Sequence, residues 1–399
     1  MTNKLGALTG IKVLDLSRVL AGPFCTQILA DLGADVVKIE RPNVGDDTRY
    51  WGPPFTPDGT AAYFTCTNRN KRSITVNLKS KLGQEIILKL VKQSDILIEN
   101  YKTGELAKLG LDYQTLSSIN PRLIYCSITG FGQNGPRKDE AGYDFLIQAM
   151  GGLMSITGQP NEIEGGLKVG VAVTDLFTGL WASVAILAAL QARHTTNRGQ
   201  HIDLALFDSQ LAMLANVASN WFISGNDAKR YGNAHPNLVP YQTFNSKDGF
   251  FALAVGNDRQ FELLCKKLGK EDIAKRFSTN ALRVEHRVEC VQLLQEIFSQ
   301  MTQAEIISLC NSLEIPAGAI NSVAKAFQDP QTQAREMIVR LTNSFGVEIP
   351  TTGSPIKMSE TPVSYHSAPP SLGEHTEQIL KELGYSLEEI QHLKENQAT

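Results

Sequence analysis

Short apolar runs alternate with amphipathic stretches along the first 200 residues. IKVLDL (11–16) is rich in apolar and β-branched residues and reads as a strand. A turn at Gly22–Pro23 follows, then a helix-like segment over 24–33 and a second strand, ADVVKIE, over 34–40. Strand, turn, helix and strand within about thirty residues make a βαβ unit, and such units build parallel sheets. SITVNL (73–78), DILIEN (95–100) and RLIYCSITG (122–130) continue the series of strands. Between them, 82–93 places Leu82, Ile86, Ile87, Leu90 and Val91 on one helical face. The pattern predicts an α/β fold whose parallel sheet is apolar on both faces.

The texture changes after Arg198. GNAHPNLVPY (232–241) is rich in Gly, Asn and Pro and reads as loop, and GFFALAVGN (249–257) reads as a strand ending in a turn. Amphipathic helices from Gln260 to Cys310 then point to a smaller second domain over 225–325, with linkers at 200–224 and 320–345. From Asp329 the chain returns to mixed strand and turn. It closes on two short helices punctuated by Gly384, where Ser386 and Glu389 have the spacing of a capping box.

Composition narrows the function classes. The 399 residues carry 38 Lys+Arg against 41 Asp+Glu, a formal net charge of -3. With a pI near 6.2, that balance argues against a nucleic-acid binder or a basic membrane-surface protein, but leaves room for a local basic pocket. Cys25, Cys66, Cys126, Cys265, Cys290 and Cys310 are dispersed without metal-ligand spacing, so they read as buried free thiols in a reducing compartment, with no metal site. The N-terminal decapeptide lacks the apolar core of a signal peptide, and the uncharged run from Leu176 to Arg193 reads as a buried core helix rather than a membrane span. A cytoplasmic location is expected, or the mitochondrial matrix if a targeting segment has been removed.

Walker A, HExxH and GxSxG signatures are absent. Glu40 ends the second strand where a ribose-binding acid would sit, but the preceding turn, SRVLAGPFCTQ, is not GxGxxG, and a proline follows its single glycine. A nicotinamide cofactor is therefore not expected. More informative is VAVTDLFTGLWASVAILAALQA (171–192), in which Asp175 opens a long apolar helix. A carboxylate there is either an N-cap or an available nucleophile held ionised beside the helix start. On local sequence alone the N-cap reading is favoured.

Taken together, RVLAGPF (18–24), KIERPNVGDDTR (38–49), NRNKRSITVNLK (68–79), ENYKTGELAKLG (99–110), ITGFGQNGP (128–136), AGYD (141–144), VAVTDLFTG (171–179), GNAHPNLVPY (232–241), VGNDRQF (255–261) and LGEHT (372–376) resemble the class III CoA-transferases. This family includes the formyl-CoA, carnitine and dicarboxylate CoA-transferases and the related α-methylacyl-CoA racemases. The resemblance runs in order over almost the whole chain. It implies a Rossmann-like large domain of 1–200 completed by 330–399, a smaller α+β domain, and an interlocked homodimer. No permanently bound cofactor is implied; CoA thioester is a substrate.

By the same resemblance Asp175 is the nucleophile, passing acyl and CoA groups through aspartyl anhydride and thioester intermediates. CoA binding falls to Leu20, Ala21, Arg41, Val76, Asn77, Leu78, Lys79, Asn100, Tyr101, Lys102 and Lys108. Lys108 stands where the formyl-CoA enzymes have arginine, keeping charge without the bidentate fork. Ala141 replaces a lysine of that branch, which shifts a phosphate contact toward Arg137 or Lys138. Tyr143 occupies the place of the racemases' histidine, and a phenol is a poor α-proton base. Leu20 replaces the glutamine of the oxalate enzymes. The pattern is most similar to the succinyl-CoA–glutarate branch. For the distal carboxylate of a dicarboxylic acid, Arg18 and Arg49 are candidates. His235 either orients a carboxylate or bonds to its own loop, and Asp144 either assists in the pocket or caps a helix.

Overall fold

A computed structural model describes residues 5–160 and 165–399 of the chain. The reading of the N-terminal decapeptide falls partly on residues 1–4, outside the described residues. The chain divides into two compact units. One comprises Met1–Leu153, Val169–Ser219 and Pro330–Thr399; the other comprises Met154–Lys168 and Asn220–Asp329.

The larger unit is built on six strands, β1 (Lys12–Asp15), β2 (Asp35–Glu40), β3 (Lys71–Thr75), β4 (Ile96–Glu99), β5 (Ile124–Thr129) and β6 (His201–Ala205). All pair in parallel in the order β3-β2-β1-β4-β5-β6, the doubly wound Rossmann order. Parallel neighbours need crossovers. These include α1 (Ala21–Asp31), α2 (Lys81–Gln93), α3 (Tyr113–Ile119), α4 (Asp144–Met150) and α5 (Val173–Thr196), and α6 (Leu206–Met213) follows β6. Side chains alternate between the two faces. Val13, Val36, Ile96, Ile98 and Ile124 join the cluster that contains α1 and α5, whereas Leu14, Val37, Leu97 and Tyr125 join the one that contains α2. Burial on both faces explains the near-continuous apolar runs.

The smaller unit carries an antiparallel sheet of β7 (Tyr241–Asn245), β8 (Phe250–Ala254) and β9 (Ala317–Ala319). Among its helices are α7 (Asp258–Lys267), α8 (Arg287–Phe298) and α9 (Gln303–Ser312); Phe244 and Phe251 from the strands meet Phe261 and Phe298 from the helices in its core. The chain then returns to the larger unit with the hairpin β10 (Ile338–Thr342) and β11 (Glu348–Thr352). Helices α10 (Thr376–Glu382) and α11 (Leu387–Glu395) add Ile379, Leu380, Ile390 and Leu393 to the α2 face, and Ser386 and Glu389 form the capping box.

Four expectations need correction. Gly22 and Pro23 are not a turn but the first turn of α1, where a proline's missing amide has no intrahelical partner to lose. Residues 200–224 are not a linker: they hold β6 and α6, and β6 escapes notice because HIDLA alternates in polarity, as an edge strand does. Nor is 320–345 an open linker, since it contains the helix Val323–Gln328 and β10. Among the cysteines all six are free, but Cys66 is exposed.

Helix α5 buries Ala182, Ile186 and Ala189 and leaves Leu180, Trp181, Val184 and Leu187 exposed, so only one face is core. That face meets α1 almost backbone to backbone. A Cβ on Gly179 would stand 2.6 Å from the Ala21 carbonyl oxygen. Gly179→Ala is therefore expected to push α5 off α1 and cost about 1–3 kcal/mol by overpacking. Denaturant unfolding checks the stability loss.

Candidate active site

The strand order reverses between β1 and β4, and open α/β sheets bind ligands outside the carboxyl ends of strands at such a point. Here the chain leaves β1 through a tight turn, residues 17–20, before entering α1. Almost every polar backbone group of the turn is held. Arg18 N–H donates to the Asn100 Oδ1 (2.9 Å), and Asn100 Nδ2 donates back to the Arg18 carbonyl (2.6 Å). Val19 has a φ of 69°, a left-handed conformation unusual for a β-branched residue. Its N–H donates to both oxygens of Asp46 at 3.3 Å.

Beneath the turn lies a buried ionic network. Lys38 pairs with Asp46 at 2.9 Å and donates to the Ser17 carbonyl at 3.0 Å. Lys71 pairs with Asp15 at 3.2 Å, and Asp15 also accepts from Ser17 and Thr26. Burial alone would raise the Asp46 carboxyl, but Lys38 and the Thr48 donors overcome it and hold it down at about 2. Burial lowers Lys71 to about 8 against the attraction of Asp15.

A cleft of about 320 Å³ opens above this turn, lined by Arg18, Leu20, Ala21, Asn100, Tyr101, Lys102, Lys138, Tyr143 and Asp175 among others. Helix α5 begins at Val173 after Ala172, so Asp175 is its third residue and not its N-cap. The capping is done from outside. Asp144, at the start of α4, accepts from Thr174 N–H (2.8 Å), Asp175 N–H (3.4 Å) and Gln148 Nε2 (2.7 Å). Asp144 is thereby placed as a helix cap, and Asp175 is released from that duty. Among the described residues no hydrogen bond reaches the Asp175 carboxylate oxygens. Burial first, and the nearby Asp144 charge second, push the Asp175 carboxyl up to about 7.

A second cavity of about 590 Å³ lies further out, lined by Arg41, Asn77, Leu78, Lys79, Tyr101, Lys108 and Gln397 among others. Tyr101 and Glu105 line both spaces, and a small recess lined by Arg18, Arg41, Val76, Leu78 and Tyr101 shares residues with each. Lys79 and Lys108 have no carboxylate partner among the described residues. Arg41 pairs with Asp47 at 3.1 Å on an exposed edge. A free carboxylate and a patch of cations thus line neighbouring spaces that meet at Tyr101 and Glu105.

Other residues singled out from sequence fall elsewhere. Arg49 is buried, pairs with Glu40 through two hydrogen bonds (2.8 and 2.7 Å), donates to the Pro370 carbonyl and stacks on Phe64. It is a structural cation, not one facing the cleft, and it occupies the Glu40 acid as well. His235 lies in the smaller unit, where its Nδ1 accepts from Asn237 N–H (3.0 Å) and its ring packs on Tyr241. Of the two cations near Ala141, Lys138 lines the inner cleft, whereas Arg137 lies over Phe131 and beside Glu140. Sequence reasoning missed the Asp15, Lys38, Asp46 and Lys71 network. A lysine inside the apolar strand DVVKIE was the available signal, because such a charge needs a partner.

Comparison with known proteins adds to this geometry. The sequence profile described as CoA-transferase family III matches residues 8–376. The chain is 50% identical to a succinate–glutarate CoA-transferase of Agrobacterium fabrum, over 96% of this chain and 97% of that protein. It is 43% identical to the succinyl-CoA:glutarate CoA-transferase of Homo sapiens, over 96% of this chain and 87% of that one. A crystal structure of a CaiB/BaiF family protein from Brucella suis superimposes with a TM-score of 0.84 at 48% identity, covering 95% of this chain and all of the other.

Proposed function

The chain belongs to CoA-transferase family III and is a CoA-transferase, and from that premise we propose that it moves CoA from succinyl-CoA to a dicarboxylic acid such as glutarate, with Asp175 as the covalent carrier. One observation carries the reading: a carboxylate that accepts no hydrogen bond among the described residues stands in a cleft that shares Tyr101 and Glu105 with a cation-lined cavity. The relatives' dicarboxylate acceptors support the choice of substrate.

The Asp175 carboxylate attacks the succinyl carbonyl, the thiolate of CoA leaves, and an aspartyl–succinyl anhydride forms. The thiolate then attacks the aspartyl carbonyl, releasing succinate and leaving an aspartyl–CoA thioester. The acceptor carboxylate displaces the thiolate to form a second anhydride. Thiolate attack on the acceptor's acyl carbon releases the new thioester and regenerates Asp175. Each step exchanges one carboxylate for one thiolate, so no further reactant is needed, and the covalent route divides one hard exchange into easier ones.

The remaining roles follow from position. Ala21 and Gly22 open α1 with amides that have no intrahelical acceptor, and Ala21 lines the same cleft as Asp175; these donors suit a developing oxyanion. Lys79, Lys108 and Arg41 take the phosphates, and Tyr101 and Leu78 flank the pantetheine track. Arg18 lines the inner cleft, with Nη1 paired to Asp47 at 2.9 Å and a buried Nε that has no partner among the described residues, and it is assigned to the acceptor's distal carboxylate. The exposed apolar face of α5, with Trp181 and Val184, supports a homodimer.

The test is an acceptor screen with succinyl-CoA as donor. Glutarate is expected to give glutaryl-CoA and succinate with ping-pong kinetics, while a monocarboxylate of equal length reacts at least about tenfold more slowly for want of the Arg18 contact. Deuterium exchange at the α-carbon of a 2-methylacyl-CoA, without transfer to any acid, would contradict the reading in favour of racemisation.

A further inference from the structure

Helix α11 ends in a complete Schellman motif. Gln397 N–H donates to the Lys394 carbonyl (3.0 Å) and Ala398 N–H to the Leu393 carbonyl (2.9 Å), while Ala398 packs fully buried in the same cluster as Leu393. The left-handed position of that motif is normally glycine, because a Cβ there is strained. Here it is Gln397, with a φ of 52°. The Gln397 side chain is exposed and caps nothing, since its carboxamide has no hydrogen-bond partner among the described residues.

That side chain is anchored beside the outer cavity. Asn77, just past the end of β3, donates its N–H to the Ala398 carbonyl (2.9 Å) and its Nδ2 to the Gln397 carbonyl (3.2 Å). Asn77 and Gln397 both line the cavity that also holds Arg41, Lys79 and Lys108. The cations supply charge for phosphates but carry no information about a base. A primary carboxamide does: its paired donor and acceptor match the N6 amino group and the adjacent ring nitrogen of adenine.

We propose that Gln397 reads the adenine of CoA, making the C-terminal turn of α11 the specificity element of the outer cavity. The inference rests on the CoA assignment above and refines it. It explains why a polar side chain stands at this left-handed position beside the cations and why the turn is tied to the segment after β3 by the N–H and Nδ2 of Asn77.

The test compares CoA with its 1,N6-etheno analogue, in which the N6 donor is blocked, by calorimetric binding to the wild-type protein and to Gln397→Gly. The wild type is expected to bind CoA about tenfold more tightly than the analogue, the lower range of what a carboxamide–adenine pair discriminates. Gln397→Gly is expected to bind the two equally, with its affinity for the analogue unchanged and its Tm equal or higher, because glycine relieves the left-handed strain. Equal preference for CoA in both proteins, or a parallel loss of affinity for both ligands, overturns the assignment of Gln397 and leaves the CoA reading intact. Failure of the wild type to bind either ligand overturns the CoA reading and this inference with it.

Discussion

Asp175→Asn is expected to abolish CoA transfer, by at least about 10³-fold in kcat, while CoA affinity stays within a few-fold of the parent. The carboxamide keeps the shape of the side chain and removes the nucleophilic oxygen. Isothermal binding and steady-state rates on the same preparation separate the two effects, and substantial residual turnover would sink the assignment. The wild-type profile carries a second signature. Burial and Asp144 push the Asp175 carboxyl up to about 7, and only its ionised form attacks. Thus kcat/KM should rise with pH through about 7 and then level off. Asp144→Asn removes the like charge and should move that limb to lower pH. The stability linkage has the opposite sense. A carboxyl whose folded pKa is raised contributes stability in acid that is lost as pH rises through about 7, so Asp175→Asn should melt above the wild type at pH 8.

Asp46→Ala is expected to produce the largest loss of stability among the site variants. It strands Lys38 as an unpaired buried cation and removes the acceptor of the Val19 amide. Breaking one side of a buried pair costs about 3–5 kcal/mol, which corresponds to a fall in Tm of about 5 °C for a chain of this size. Lys38→Met combined with Asp46→Leu should recover much of the Tm, because apolar isosteres tolerate burial. It should not recover kcat, because the amide of the left-handed Val19 then has no acceptor at the start of α1. Equal recovery of both would show that the network serves stability alone. The wild-type acid profile reads the same pair: Asp46, held at about 2, contributes stability above pH 4 that is lost as pH falls toward 2.

The α/β fold is legible because doubly buried parallel strands leave continuous apolar runs, and most of the six strands announce themselves that way. β6 does not, since an edge strand with one open face alternates in polarity. The chemistry is less local. Asp175 alone reads as a helix cap, and only the motifs spread along the chain separate it from that role. Its freedom comes from Asp144, thirty-one positions earlier, whose carboxylate satisfies the amides instead. Arg49 shows the reverse: a cation in a promising motif is enclosed by Glu40 and Phe64, and no spacing along the chain reveals that partner. The turn clamp was hidden for a related reason. Lys38 stands out inside an apolar strand, but its partner Asp46 lies in the loop after β2 and reads as a solvated charge until the fold buries it. Gln397 was hidden because its meaning lies in a backbone angle and a neighbouring strand end.

The covalent role of Asp175 is the central claim, and oxygen transfer tests it most directly. Each acceptor carboxylate that forms the second anhydride leaves one of its oxygens on the aspartyl group when the new thioester departs. The measurement is peptide mass spectrometry of the protein after turnover with succinyl-CoA and glutarate labelled in its carboxyl groups with heavy oxygen. The account predicts heavy oxygen in the peptide containing Asp175, on that residue, and none when succinyl-CoA is omitted. Transfer to glutaryl-CoA with Asp175 unlabelled would contradict it.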